Sequence, residues 1–124
     1  MKLLNLNVCI KRDNNAEVIK LVKEDNYDIL TFQEMMRKID DSVFKKYQSS
    51  NIIKENLNYK NSFFGALWIA RYHTKNNIIT RDFGGLTEQG NEILSNFPII
   101  EGKNNFYYKD YSIFEEVSNF KYFF

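Results

Sequence analysis

The chain has 124 residues, 44% apolar and 16% aromatic, which suits one folded domain and excludes an intrinsically disordered segment. Its 17 basic and 16 acidic residues leave a net charge of +1, so no long-range field draws it to nucleic acid and any phosphate binding must be local. A lone cysteine, Cys9, excludes an internal disulfide, and no stretch reads as a signal peptide or membrane span, so a soluble, cytoplasmic protein is expected.

Within residues 2–10, Leu4, Leu6, Val8 and Ile10 alternate on one face, which predicts a strand. Asn5 and Asn7 fall on the other face, and asparagine is depleted in strands, so the pair needs a reason. Cys9, in the same apolar run, reads as a small buried hydrophobe. After a polar connection, Asn14 is placed to cap a helix and Glu17 to complete a capping box. Val18, Ile19, Leu21 and Val22 then predict a helix over 15–25 that stops at Asn26. Ile29-Leu30-Thr31-Phe32 is a β-prone run leading into Gln33 and Glu34. Strand, helix and strand in this order imply a right-handed crossover with parallel strands that end on one sheet edge. That edge receives both Asn7 and Glu34.

Residues 40–57 carry a helical pattern that Ser49-Ser50 interrupts, and 62–72 reads as a strand. A turn is expected over 74–77 and a loop at Gly84-Gly85. Residues 92–100 form another strand region, with Pro98 near its end because proline cannot donate to a ladder. The stretch 106–124 is aromatic, with neither a helix cap nor a clear stop.

Two polar residues invite chemistry. A carboxylate at a strand end, Glu34, suits Mg²⁺, which takes one or two carboxylates plus waters and substrate phosphate oxygens. Asn7 has an amide that can donate to a phosphate oxygen and accept from a metal-bound water. Taken singly, each also reads as an ordinary polar residue where a strand meets a loop.

Together they match a larger pattern. A strand ending in Asn7 is followed by a helix and then by Asp28-Ile29-Leu30-Thr31-Phe32-Gln33-Glu34. Later comes Gly90-Asn91-Glu92-Ile93-Leu94-Ser95-Asn96-Phe97-Pro98-Ile99. Over about residues 2–100 this resembles the endonuclease/exonuclease/phosphatase superfamily, the deoxyribonuclease-I-like metal-dependent phosphodiesterases. The resemblance implies an α/β (α+β) fold, half of a four-layer α/β/β/α sandwich, with a mixed β-sheet and covering helices. It implies that Glu34 binds Mg²⁺ (or Mn²⁺), that Asn7 helps hold the metal site and the scissile phosphate, and that Gly90 and Asn91 shape the neighbouring strand. The implied substrate is a phosphodiester, in nucleic acid or in a phospholipid or inositol phosphate.

The sequence also departs from the family. Asn96 stands where Arg or Lys is common. The Thr-His pair, Gly-Asp-x-Asn and Asp-His segments that complete the family's site do not occur. His73 precedes the Ser95 segment and matches none of them, and Asp110 lacks an Asn two residues on. Residues 1–124 are therefore expected to form the N-terminal half of such a domain, incomplete and inactive as an isolated chain. The alternative is a non-catalytic truncated product acting as a weak metal- or phosphate-binding or interaction module. An uncovered inner sheet face is expected to promote self-association, or pairing with a chain that carries the missing half.

Overall fold

The structure is a computed structural model describing residues 1–9 and 13–104, together with the backbone of the 113–114 strand. Its elements are β1 (Leu3–Asn7), α1 (Asn15–Glu24), β2 (Ile29–Lys38), a 3₁₀ turn (Lys45–Tyr47), α2 (Ser49–Asn56), β3 (Asn61–Lys75), β4 (Ile78–Ser95) and β5 (Ile113–Phe114). The strands form one mixed sheet in the order β1-β2-β4-β3-β5. β1 runs parallel to β2, β4 lies antiparallel between β2 and β3, and β5 runs parallel to β3. The fold class is therefore α+β, built on the expected strand–helix–strand crossover.

Alternation explains the core. Leu4 and Leu6 of β1 lie in register with Leu30 and Phe32 of β2, and Leu30 pairs with Leu94 of β4. This face meets Val18 and Val22 of α1 and Ile53 of α2, and Leu57 closes the cluster. Leu30, Phe32, Met35 and Ile53 are fully buried, each contributing about 1.5–3 kcal/mol relative to exposure. A second cluster joins Met36, Val43, Tyr47, Trp68, Ala70 and Phe83. There Tyr47 meets Phe83 edge-on and Trp68 stacks on it, with ring centroids 5.0 and 5.8 Å apart.

The opposite face carries Leu3, Asn5 and Asn7 of β1, Thr31 and Gln33 of β2, Ile93 of β4, and Phe63 and Gly65 of β3. The chain after β4 returns across its β3 side. Gly102 lies against the Phe63 ring, and Asn104 sits over Gly65 and donates to the Ala66 carbonyl at 2.7 Å.

Several local expectations need correction. Asn14 makes no side-chain cap; its Nδ2 donates to the Val8 carbonyl at 2.9 Å, tying the start of α1 to the chain leaving β1. The β2 strand does not stop at Phe32 but continues to Lys38. Over 40–57 only the 3₁₀ turn and α2 are helical, and Ser49 opens α2 instead of breaking it. Its Oγ accepts from the Met36 N–H at 2.8 Å. Gly84 and Gly85 lie inside β4, not in a loop. Gly84 adopts φ +81°, and a β-carbon on Gly85 would run into Asp40 and Ser42, so the pair lets β4 press against the 40–44 segment. The turn contracts to Asn76-Asn77. Cys9 is half-buried with φ +57°, outside both core clusters. Ile10 and, apart from the short β5 strand, the aromatic 106–124 stretch lie outside the described residues.

Candidate functional site

The last residue of β1, Asn7, stands in register with Gln33 of β2. On its other side β2 pairs with β4, but the register jumps: Phe32 faces Glu92 and Met35 faces Gly90. Gln33 and Glu34 are thus set against Asn91 alone, a β-bulge. Glu34 takes φ +56°, a left-handed conformation that costs a non-glycine residue about 1–2 kcal/mol. Bulges re-aim side chains, and this one turns the Glu34 carboxylate toward β1. The Asn7 amide donates from Nδ2 to Glu34 Oε1 at 3.2 Å. Asn7 Oδ1 accepts from the Cys9 N–H at 2.8 Å, a local turn that fixes which end of the amide faces the carboxylate.

The two residues therefore lie on neighbouring parallel strands with converging side chains. Sequence reasoning placed Glu34 at a strand end, whereas it sits within β2, held by the bulge. Glu34 is half-buried and Asn7 exposed, so the pair opens to solvent.

Asn5 supplies the reason for polar residues in β1. Its Oδ1 accepts from Thr31 Oγ1 and from Gln33 Nε2, both at 2.6 Å. This ladder leads across the open sheet face to Asn7 and fixes Gln33 beside the bulge. Gly90 and Asn91 have distinct parts: a β-carbon on Gly90 would collide with the Gly65 carbonyl, and Asn91 is the exposed residue facing the bulge. His73 lies elsewhere, on β3 near its turn into β4, with Nδ1 2.7 Å from Thr80 Oγ1.

Glu92 was missed as a notable residue. Its side chain is fully buried under α2, with Lys54 Nζ 3.5 Å from Oε1. Burial pushes its carboxyl above its ordinary pKa, against the opposing pull of Ser50, Lys54 and Arg37. Ser50 is near enough to lower the pKa but outside hydrogen-bonding geometry, so neither carboxylate oxygen completes a hydrogen bond. The signal was available: Glu92 is in phase with Leu94, a core position.

Among the described residues no three His, Cys, Asp or Glu side chains cluster around a common point. Because Asn7 turns its N–H toward the carboxylate and its Oδ1 toward the Cys9 N–H, the donor the pair offers a cation is the Glu34 carboxylate, a hard oxygen ligand suited to Mg²⁺ or Mn²⁺ when water and phosphate oxygens complete the shell.

No family model matches the sequence, and no curated protein matches it. Among solved structures, an endonuclease/exonuclease/phosphatase from Beutenbergia cavernae superposes with a TM-score of 0.50 at 14% identity, over 71% of this chain and 22% of that one. At that identity the likeness shows a shared fold. The chain corresponds to 22% of that protein's length.

Proposed function

We propose that the Asn7–Glu34 pair is part of a metal-dependent phosphoesterase centre, binding Mg²⁺ or Mn²⁺ and a phosphoryl oxygen of a phosphodiester in nucleic acid or lipid. The observation that supports this most directly is the 3.2 Å contact from Asn7 Nδ2 to a Glu34 carboxylate held in a left-handed bulge. Such backbone outliers concentrate at functional sites. The fold shared with an endonuclease/exonuclease/phosphatase adds to it.

Glu34 would be the metal's protein ligand, with Asn7 orienting the carboxylate. A divalent ion bound there supplies charge that polarises a phosphoryl oxygen. Asn7 retains a second N–H on Nδ2, available to an anionic oxygen beside the ion. The Asn5 ladder keeps Gln33 and the bulge in place. Hydrolysis also needs a base or oriented water and a group to stabilise the leaving oxygen. The chain alone is accordingly proposed to bind without efficient turnover.

Mn²⁺ binding followed by electron paramagnetic resonance tests the reading. Wild type should bind, Glu34→Gln should weaken binding at least tenfold, and Asn7→Ala should weaken it by a smaller factor. Hydrolysis of a generic phosphodiester should not exceed that of Glu34→Ala. Unchanged Mn²⁺ affinity in Glu34→Gln would remove the metal assignment; robust turnover lost in Glu34→Ala would remove the binding-only reading.

A further inference from the structure

The far end of the β3–β4 hairpin is built differently from the rest of the sheet. The last pair between β2 and β4 is Lys38 with Thr87. Beyond it, β4 residues Ile78 to Asp82 pair only with β3, through Tyr72–Asp82, His73–Arg81, Thr74–Ile79 and Lys75–Ile78. Among the described strands this end is a two-stranded arm projecting past the sheet. Asn76 and Asn77 close it with φ values of +52° and +61°, the tight turn whose twist matches a hairpin. The tip is thus ordered by its backbone.

Its side chains are unusual for a solvent-exposed tip. Ile78 is 68% exposed and Ile79 46%; as successive strand residues immediately after the turn, they face opposite sides of the hairpin. Scattered exposed hydrophobes are ordinary, but two successive ones next to the turn of a projecting arm are not. Lys75 and Arg81 flank it, with Arg71 at the base of the arm. Asp82 is the arm's one acidic residue, and its Oδ1 accepts from the Gly84 N–H. Arg71 lies 3.9 Å from Asp40, whereas Lys75 and Arg81 make no ion pair among the described residues.

We infer that this arm docks on an anionic lipid surface, with Ile78 and Ile79 entering the interface and Lys75 and Arg81 facing the headgroups. Charge selects the occupant's sign: two cations that make no ion pair among the described residues flank the isoleucines, while the chain as a whole is nearly neutral. Lys75 is the register partner of Ile78, so exposed apolar area and positive charge meet at one end of the arm, the two terms that set interfacial binding. A nucleic acid would satisfy the cations but leave two branched aliphatic side chains without stacking partners.

Co-sedimentation of the full chain with phosphatidylcholine vesicles, with and without roughly a third phosphatidylserine, tests this. Wild type should partition onto the anionic vesicles and weakly onto neutral ones. The double substitution Lys75→Gln/Arg81→Gln should lower partitioning roughly twenty-five-fold, at about fivefold per charge. Ile78→Ser/Ile79→Ser should lower it at least tenfold, with circular dichroism unchanged because both positions are exposed. Equal binding to neutral and anionic vesicles, or no loss in either variant, overturns the proposal. So does binding to a duplex oligonucleotide with none to vesicles, or concentration-dependent self-association abolished by the isoleucine changes, which would assign the tip to a second copy. The outcome is independent of the Asn7–Glu34 site.

Discussion

Replacing Glu92 with glutamine is expected to stabilise the fold at neutral pH. The Glu92 side chain is fully buried on β4, and its charge is answered by Lys54 at 3.5 Å without a completed hydrogen bond. Desolvation raises its pKa in the folded state. The folded chain therefore holds this proton to higher pH than the unfolded chain, whose glutamates titrate near about 4.3. Stability from this group is fully present below the unfolded value and is lost as pH rises through the folded one. Glutamine keeps the shape, removes the charge and brings an N–H toward Ser50. Replacing a whole buried ion pair by apolar residues is often neutral or gains about 1–4 kcal/mol, and removing one partner is costly only where the other charge stays buried; Lys54 is 35% exposed and keeps its contact with water, so a gain of about 1–2 kcal/mol is expected at pH 7. For a chain of this size that is roughly a 3–10 °C rise in Tm. Lys54→Met should do the opposite, leaving the carboxylate buried alone, and the double variant should resemble Glu92→Gln. Thermal unfolding by circular dichroism from about pH 4 to 8 measures all four proteins against the unfolded pKa of about 4.3. The advantage of Glu92→Gln should shrink toward the acid end. A Glu92→Gln protein that is less stable than wild type by the same amount at every pH would refute the desolvation reasoning.

Three further outcomes are expected. Glu34→Gly should be more stable than Glu34→Ala by about 1 kcal/mol in denaturant unfolding, because only glycine accepts φ +56° without strain; equal stabilities would mean that the bulge relaxes. Gly90→Ala should cost about 3 kcal/mol, the upper end for overpacking, since its β-carbon meets the Gly65 and Ala66 backbone; an unchanged denaturation midpoint would contradict that close approach. Asp40 has its pKa lowered by the Ser42 hydroxyl, then by the Leu86 and Ser42 N–H groups and Arg71, so its contribution is present at neutral pH and fades as pH falls through the depressed value. Asp40→Asn should flatten the acid limb of the stability profile, and an acid limb identical to wild type would remove Asp40 from it.

Much of the N-terminal architecture was legible because it rests on local periodicity. Leu4 and Leu6 alternate, Val18 and Val22 recur at helical spacing, and the parallel pairing of a strand–helix–strand unit then sets Asn7 beside β2. Other features depend on what a segment meets. Gly84-Gly85 reads as a loop until the 40–44 segment presses against β4. Asn14 reads as a helix cap, yet its amide does more by holding the Val8 carbonyl. Ser49-Ser50 reads as a break, although Ser49 Oγ accepts a buried strand N–H at the start of α2. In each case a local rule was overridden by a partner distant in sequence.

The bulge at Glu34 shows how core and site are coupled. Phe32 and Met35 both lie in the helix-facing core, and both are fully buried. They are three residues apart, an odd spacing, so a regular strand would point them to opposite faces. One extra residue must be absorbed between them, and the register jump between Phe32 and Met35 absorbs it. Sliding the strand to straighten it would move one of the two out of the core, forfeiting about 1.5–3 kcal/mol. That exceeds or equals the strain of about 1–2 kcal/mol at a left-handed glutamate. The two core anchors therefore hold Glu34 in its unfavourable conformation whether or not a ligand is present, and the carboxylate is aimed at Asn7 before any cation arrives.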